Sequence, residues 1–225
     1  MKIIEDAVER GADNLSEFES KQVLSGYGIP VTMEKTATSM EETVSAANSI
    51  GYPVVLKASG EKLQHKTELN LIRLDLKDAS QVRQAYTELL EKSTIPITEV
   101  LIQQMLSGNR ELLAGLKRDS QFGPCVVFGL GGILAEILED VSIRVAPITT
   151  FDAMDMMENI RGKKILEPFR GKPQVDRKAL AELLIALGTI GLENSAVAEI
   201  DINPIKLIDG RPVAVDALVV LDKSP

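Results

Sequence analysis

Near the C-terminal end, four oxygen-bearing side chains recur at a spacing that could hold a divalent cation. Glu199, Asp201 and Asn203 alternate along AEIDINPIKLI, and Asp216 follows in RPVAVDALVVL. Asp209-Gly210 between the two runs is a two-residue hairpin signal. If the chain turns there, Ile208 faces Arg211, and stepping outward brings Asn203 opposite Asp216 at about 5 Å between Cβ atoms. Side chains alternate along a strand, so Glu199 and Asp201 share that face, while Ile200, Ile202, Val215 and Ala217 read as core. Hard oxygen donors suit Mg2+ or Mn2+, completed by phosphate oxygens and water. The same pattern also suits the solvated side of an edge hairpin. A bulge, or Pro204 ending the strand early, would break the alignment.

His65, in LQHKTELN, is the only histidine of 225 residues. A neutral imidazole is a good nucleophile toward a phosphoryl group and passes it on readily; a lone loop histidine is also an ordinary surface residue. Lys57 stands in the apolar run PVVLKA, either guarding a sheet edge or facing an anion, for which a phosphate is the natural partner. Gly129, Gly131 and Gly132 in FGLGGIL would let backbone N–H groups approach an anion. Their spacing is neither a dinucleotide fingerprint nor a P-loop, and a simple turn is the favoured reading. Glu111, in GNRELLAG, and Arg144, in VSIRVAP, are site residues or exposed strand positions, and spacing does not choose. Cys125 reads as a small buried hydrophobe. No Cys/His pair supports a thiol enzyme or a common zinc site, and no GxSxG supports a serine hydrolase.

These residues need elements to hold them. Ser16 to Glu19 fits a capping box opening a helix that stops near Gly26 and Gly28. Ser39 to Glu42 opens another, ending at Gly51. Pro53 to Ala58 reads as a buried strand, Leu69 to Leu76 as a second, and Asp78 caps a helix reaching about Lys92. Beyond Pro96 strands dominate, interrupted by helices over about 151–160 and 176–192, with the hairpin last. The segment 165–174, ILEPFRGKPQ, reads as the most flexible loop. The expected architecture is α+β, with a smaller lobe over 25–95 and a larger one from 1–24 plus 96–225.

Acidic residues outnumber basic ones by 33 to 25, for a net charge of −8. That argues against nucleic acid or an anionic membrane as partner, since both need a positive field. A lone cysteine gives no intrachain disulfide. The absence of a long apolar run or a signal-peptide core makes a soluble cytoplasmic protein the expectation.

Four strings together, GYPVVLKASGEKLQHKTELN, LIQQML, RDSQFGPCVVFGLGGILAEILEDVSIRVAP and AEIDINPIKLIDG, resemble the ATP-grasp subunit of ADP-forming acyl-CoA synthetases over essentially the whole chain. That family is related to the nucleotide-binding subunit of succinyl-CoA synthetase. The resemblance implies an ATP-grasp fold, with ATP or ADP held between two lobes and Mg2+ bound by Asp201, Asn203 and Asp216. It implies that Lys57 touches the phosphates, that Leu101, Ile102, Gln103 and Gln104 form a hinge reading adenine by backbone, and that Glu111, Gly131, Gly132 and Arg144 line the nucleotide. His65 matches the histidine that carries the phosphoryl group. An α subunit carrying the CoA and acyl-phosphate site is the implied partner, in an α2β2 heterotetramer. The alternatives are a regulatory ATP-grasp module of a protein acyltransferase system and a non-catalytic partner subunit. Where the family shows HKSDVGGV this chain reads HKTELNLI, so Asn70 and Leu71 replace two glycines. Leucine tolerates a left-handed backbone poorly, so a differently shaped segment is expected there.

Overall fold

The computed structural model describes residues 1–59, 71–93, 97–108, 110–132, 140–168 and 171–222. In chain order its elements are α1 (Lys2–Glu9), α2 (Glu17–Gly26), β1 (Glu34–Ala37), α3 (Met40–Ile50), β2 (Val54–Ser59), β3 (Ile72–Leu76), α4 (Ala79–Lys92) and β4 (Glu99–Gln104). There follow β5 (Glu111–Asp119), β6 (Gly123–Leu130), β7 (Val141–Val145), α5 (Thr150–Asn159), α6 (Arg177–Glu193), β8 (Val197–Ile208), β9 (Arg211–Ala214) and β10 (Leu218–Leu221). They form two compact units: Met1–Val31 with Ser107–Pro225, and Thr32–Leu106.

In the smaller unit a four-stranded sheet runs β1-β4-β2-β3. The division falls later than residue 96 because β4 hydrogen-bonds to both β1 and β2 and so belongs to this sheet. Ser39 and Asp78 cap α3 and α4, accepting from the N–H groups of Glu42 and Gln81, which satisfies donors that the first turn leaves unpaired. Both helices bury Val44, Ala47, Val82 and Leu89 in one apolar cluster with Leu56 and Ile102 of the sheet. Leu71, where the resemblance led one to expect glycine, is buried in the same cluster. Among the described residues only Asp75 and Asp209 are non-glycine positions with positive φ, so Leu71 keeps an ordinary backbone. The leucine fills core volume instead of straining a turn.

The larger unit holds a six-stranded sheet, β10-β8-β5-β6-β7, with β9 also paired to β8. Leu112, Leu116, Val126, Phe128, Ile200 and Ile202 form its core face, packed with α5 and the apolar α6. A Cβ on Gly191 of α6 would lie 2.4 Å from Leu116, so glycine is what lets the helix approach the sheet. Arg118 donates to the carbonyls of Gly191, Asn194 and Val197, joining the end of α6 to the start of β8. Nor is the whole of 165–174 a loose excursion: Leu166 is fully buried, and Val175 N–H donates to its carbonyl at 3.0 Å.

Lys21 of α2 is an unexpected member of this interior, only 1% exposed and 3.1 Å from the equally sheltered Glu17. The i, i+4 spacing lets the two charges meet on one helix face, and burial is tolerable because each offsets the other. Lys21→Met should therefore cost about 3–5 kcal/mol by leaving a buried carboxylate without its ammonium. Urea unfolding measures this, and a loss below about 1 kcal/mol would show that the pair is dispensable.

Candidate functional site

Strand β8 does not keep one register against β5. Glu111 pairs with Lys206 and Leu112 with Ile205, but the next matched pairs are Ala114 with Ile202 and Gly115 with Asp201. Leu113 thus stands against two residues, Asn203 and Pro204, which is a β-bulge. Burial changes phase at the same place: Ile200 and Ile202 are core before it, Ile205 and Leu207 after it. The slip puts Glu199 and Asp201, from one side of the bulge, and Lys206, from the other, on the face that carries Glu111.

The hairpin follows the register its turn dictates. Ile208 pairs with Arg211 and Ile205 with Ala214, and beyond the bulge Asp201 pairs with Leu218. Asn203 and Asp216 lie opposite one another in the gap between these ladders, flanked by the bond from Val215 N–H to the Pro204 carbonyl at 3.0 Å. The expectation that Val215 is core is corrected: Ala214 is fully buried and Val215 only partly, because β9 and β10 change phase where β8 does. Pro204 supplies no ladder N–H, and such interruptions concentrate where proline enters a strand.

Charge accumulates on this face. The Asp201 carboxyl is pushed up to about 6, first by the protein that displaces water around it and then by the like charges of Glu199 and Asp216. Asp201 still reaches solvent, so both causes act under partial screening. Among the described residues no three His, Cys, Asp or Glu side chains converge into a complete metal cage. Two carboxylates and an amide oxygen would instead leave about half of an octahedral shell to a ligand and water, as Mg2+ beside phosphates commonly requires. The excess negative charge that raises Asp201 is what a cation would relieve. This donor set fits Mg2+.

The glycine turn comes to the same place. Gly131 N–H donates to the Glu111 carbonyl at 2.9 Å, and Gly132 N–H donates to Asn203 Oδ1 at 3.0 Å. Gly132 has φ +62, and a Cβ there would lie 2.2 Å from Glu111 Oε2. Lys206 Nζ approaches Glu111 Oε1 at 3.6 Å. Glu111, Gly131, Gly132 and Asn203 are therefore one cluster. Lys206 belongs to it too, although strict alternation from Ile200 and Ile202 would have buried it; Pro204 was the one signal of the change.

Other expected residues lie elsewhere. Lys57 is 6% exposed at the middle of β2, paired across to Ile72 and Leu101. It guards no edge, and an ammonium so buried needs anionic or carbonyl company. Val55, Leu101 and Gln103 share its face, outside the apolar cluster of that unit, and Gln103 Nε2 donates to Thr32 Oγ1 at 2.9 Å. Leu101, Ile102 and Gln103 pair with β1 on one side and β2 on the other, so their peptide groups are committed to two ladders. Gln104 N–H donates to Met33 and Met105 N–H to Pro53. Arg144 pairs in register with Val126, which places it on the helix-covered face, where it forms an ion pair with Asp155 of α5. It is not brought to the acidic cluster. His65 lies outside the described residues.

Comparison with known proteins identifies the family. The profile of the ATP-grasp domain family matches residues 6–221. The chain is 41% identical to the acetate–CoA ligase [ADP-forming] I subunit beta of Pyrococcus furiosus, over 92% of this chain and 91% of that one. It is 37% identical to the acetate–CoA ligase [ADP-forming] I of Archaeoglobus fulgidus, where 99% of this chain covers only 33% of the relative. Among solved structures it is similar to the dinucleotide forming acetyl-coenzyme A synthetase 1 of Ca. Korarchaeum cryptofilum, with TM-score 0.89, 39% identity and coverage of 98% and 99%. That structure contains coenzyme A and Mg-AMPPCP, with a phosphohistidine segment pointing towards the nucleotide binding site.

The raised carboxyl of Asp201 gives a signed expectation. Ionised Asp201 opposes folding, so the penalty is full above about pH 6 and gone below its unfolded value near ~3.9. Without metal, Asp201→Asn should be more stable than wild type at pH 8 by up to about 1 kcal/mol after solvent screening. The difference should close as the pH falls toward ~4. Urea unfolding in a chelator measures it; a wild type more stable than the variant at pH 8 would contradict the assignment.

Proposed function

The chain belongs to the ATP-grasp domain family, and from that premise we propose that it is the nucleotide-binding β subunit of an ADP-forming acyl-CoA synthetase. The overall reaction is acyl-CoA + ADP + phosphate ⇌ carboxylic acid + CoA + ATP. This chain's share is phosphoryl transfer between a phosphohistidine and ADP. One observation carries the reading. The chain matches end to end a solved chain with a phosphohistidine segment aimed at a nucleotide, and it has a single histidine to offer for that role.

A terminal ADP oxygen attacks the phosphorus, the N–P bond of phosphohistidine breaks, and the imidazole leaves with the electron pair. In the reverse direction His65 must be neutral to attack. Such transfer asks a protein mainly for positioning and charge neutralisation. Lys57 supplies a fixed positive charge to the phosphates. Asp201, Asn203 and Asp216 would hold Mg2+, which when bound neutralises phosphate oxygens. Glu111 and the Gly131-Gly132 turn shape the approach to them. The peptide groups that follow β4 read the adenine.

The separate relative is called a beta subunit, and this chain matches only 33% of the Archaeoglobus chain, so about two thirds of that chain lies outside the match. That supports a partner. We assign the CoA and acyl-phosphate sites to an α subunit, in an α2β2 assembly.

The test is phosphate incorporation from γ-labelled ATP with Mg2+, with and without the α subunit. Acid-labile, base-stable label should appear in wild type and vanish in His65→Ala. If ATP binds and the complex turns over without label, phosphate does not pass through His65 and the relay fails. Lys57→Met should weaken ATP binding roughly 10- to 100-fold, the worth of a charge-assisted contact, as read by calorimetry. Unchanged affinity would remove Lys57 from the phosphate site.

A further inference from the structure

Lys206 has no role in the reading above, and the structure places it at the start of a continuous set of contacts. Its ammonium is 3.6 Å from Glu111 Oε1, with the two side chains 20% and 30% exposed. A Cβ built on Gly132 would lie 2.2 Å from the other oxygen of that carboxylate, so glycine is what lets the carboxylate and the turn approach. The Glu111 carbonyl also accepts from Gly131 N–H, so one residue meets both glycines, the first through its backbone and the second through side-chain packing. Gly132 then donates its N–H to Asn203 Oδ1 at 3.0 Å. An amide oxygen has two lone pairs. The one that Gly132 occupies determines the direction in which the other points.

We propose that Lys206 is a positioning residue for the divalent cation, acting through Glu111 and the Gly131-Gly132 turn to orient the amide of Asn203. The proposal rests on the assignment of Asn203 as a metal ligand under the reading above. Without the ammonium, the Glu111 carboxylate loses its charge partner and can move from beside Gly132, so the turn whose N–H fixes the Asn203 amide loses that packing. Groups that orient metal ligands in this way typically contribute 10- to 100-fold to metal affinity. Lys206 is on the acidic face only because of the bulge, and it pairs in register with Glu111. The backbone register thus sets the two residues opposite one another, and their side chains meet at the ends.

The experiment is calorimetric titration of the full chain with ADP, once in saturating Mg2+ and once in a chelator. Wild type should show a Mg2+-dependent gain in ADP affinity. If it shows none, the function proposed above fails and this inference falls with it. Lys206→Met should lose roughly 10-fold of that gain while metal-free affinity stays within about twofold, and Lys206→Arg should restore most of it by keeping the charge. In an Asn203→Ala background, Lys206→Met should have no further effect, because residues acting in series are not additive. If metal-free affinity falls as much as the Mg2+-dependent gain, Lys206 acts on the nucleotide or on folding and the proposal is wrong. Additive losses in the double variant would also overturn it, by showing that Lys206 does not work through Asn203.

Discussion

The two-residue bulge where β8 passes Leu113 is the constraint on which the rest of the site depends. A strand is a strict two-period object, so a single displaced residue exchanges its faces from that point on. Ahead of the bulge the exposed face presents Glu199 and Asp201; beyond it the same face presents Lys206, opposite Glu111. Asn203 sits on the bulge itself, where its amide can be met by the backbone of the glycine turn. A regular strand would have put Lys206 among the isoleucines.

The bulge also explains how acidic groups gather without an all-protein cage. Asp201 is shifted upward because protein displaces water around it and because Glu199 and Asp216 are near. A closed set of ligands would bind metal whether or not substrate was present. An open set, short of donors, binds best when phosphates complete the shell. Under the proposed function, the same incompleteness would link a cation held here to the nucleotide, a useful property where charge must be neutralised only while phosphate moves. The rigid background for this is the apolar layer of α6 against the larger sheet, held at close range by Gly191.

The smaller unit solves a different problem. Its lysine lies buried in the middle of a central strand, on the face not occupied by the α3 and α4 core. A buried ammonium is costly unless its partners are fixed, so Lys57 marks that face as built around charge. Leu71, expected to disturb a turn, is instead packed into the same unit's core. Arg144 shows the opposite outcome. Its place in VSIRVAP left open a site residue or an exposed strand position, and the alternation of β7 directs it to Asp155 on the helical side.

Much of this was legible in residue order because it depends on local chemistry. Ser16, Ser39 and Asp78 announce their helices by accepting N–H groups a few residues on, and Asp209-Gly210 sets the register that brings Asn203 opposite Asp216. Lys57 between apolar neighbours already signalled an unusual cation. Tertiary structure alone decided what depends on neighbouring strands. It assigned β4 to the smaller unit through its two ladders, committed the peptide groups of Leu101 to Gln103 to those ladders, paired Arg144 with Asp155 and brought Lys206 to Glu111. The physical reason is common to all four: a strand's face and its free hydrogen-bonding groups are properties of pairing between distant segments, and one bulge is enough to reverse what alternation along a single segment would suggest.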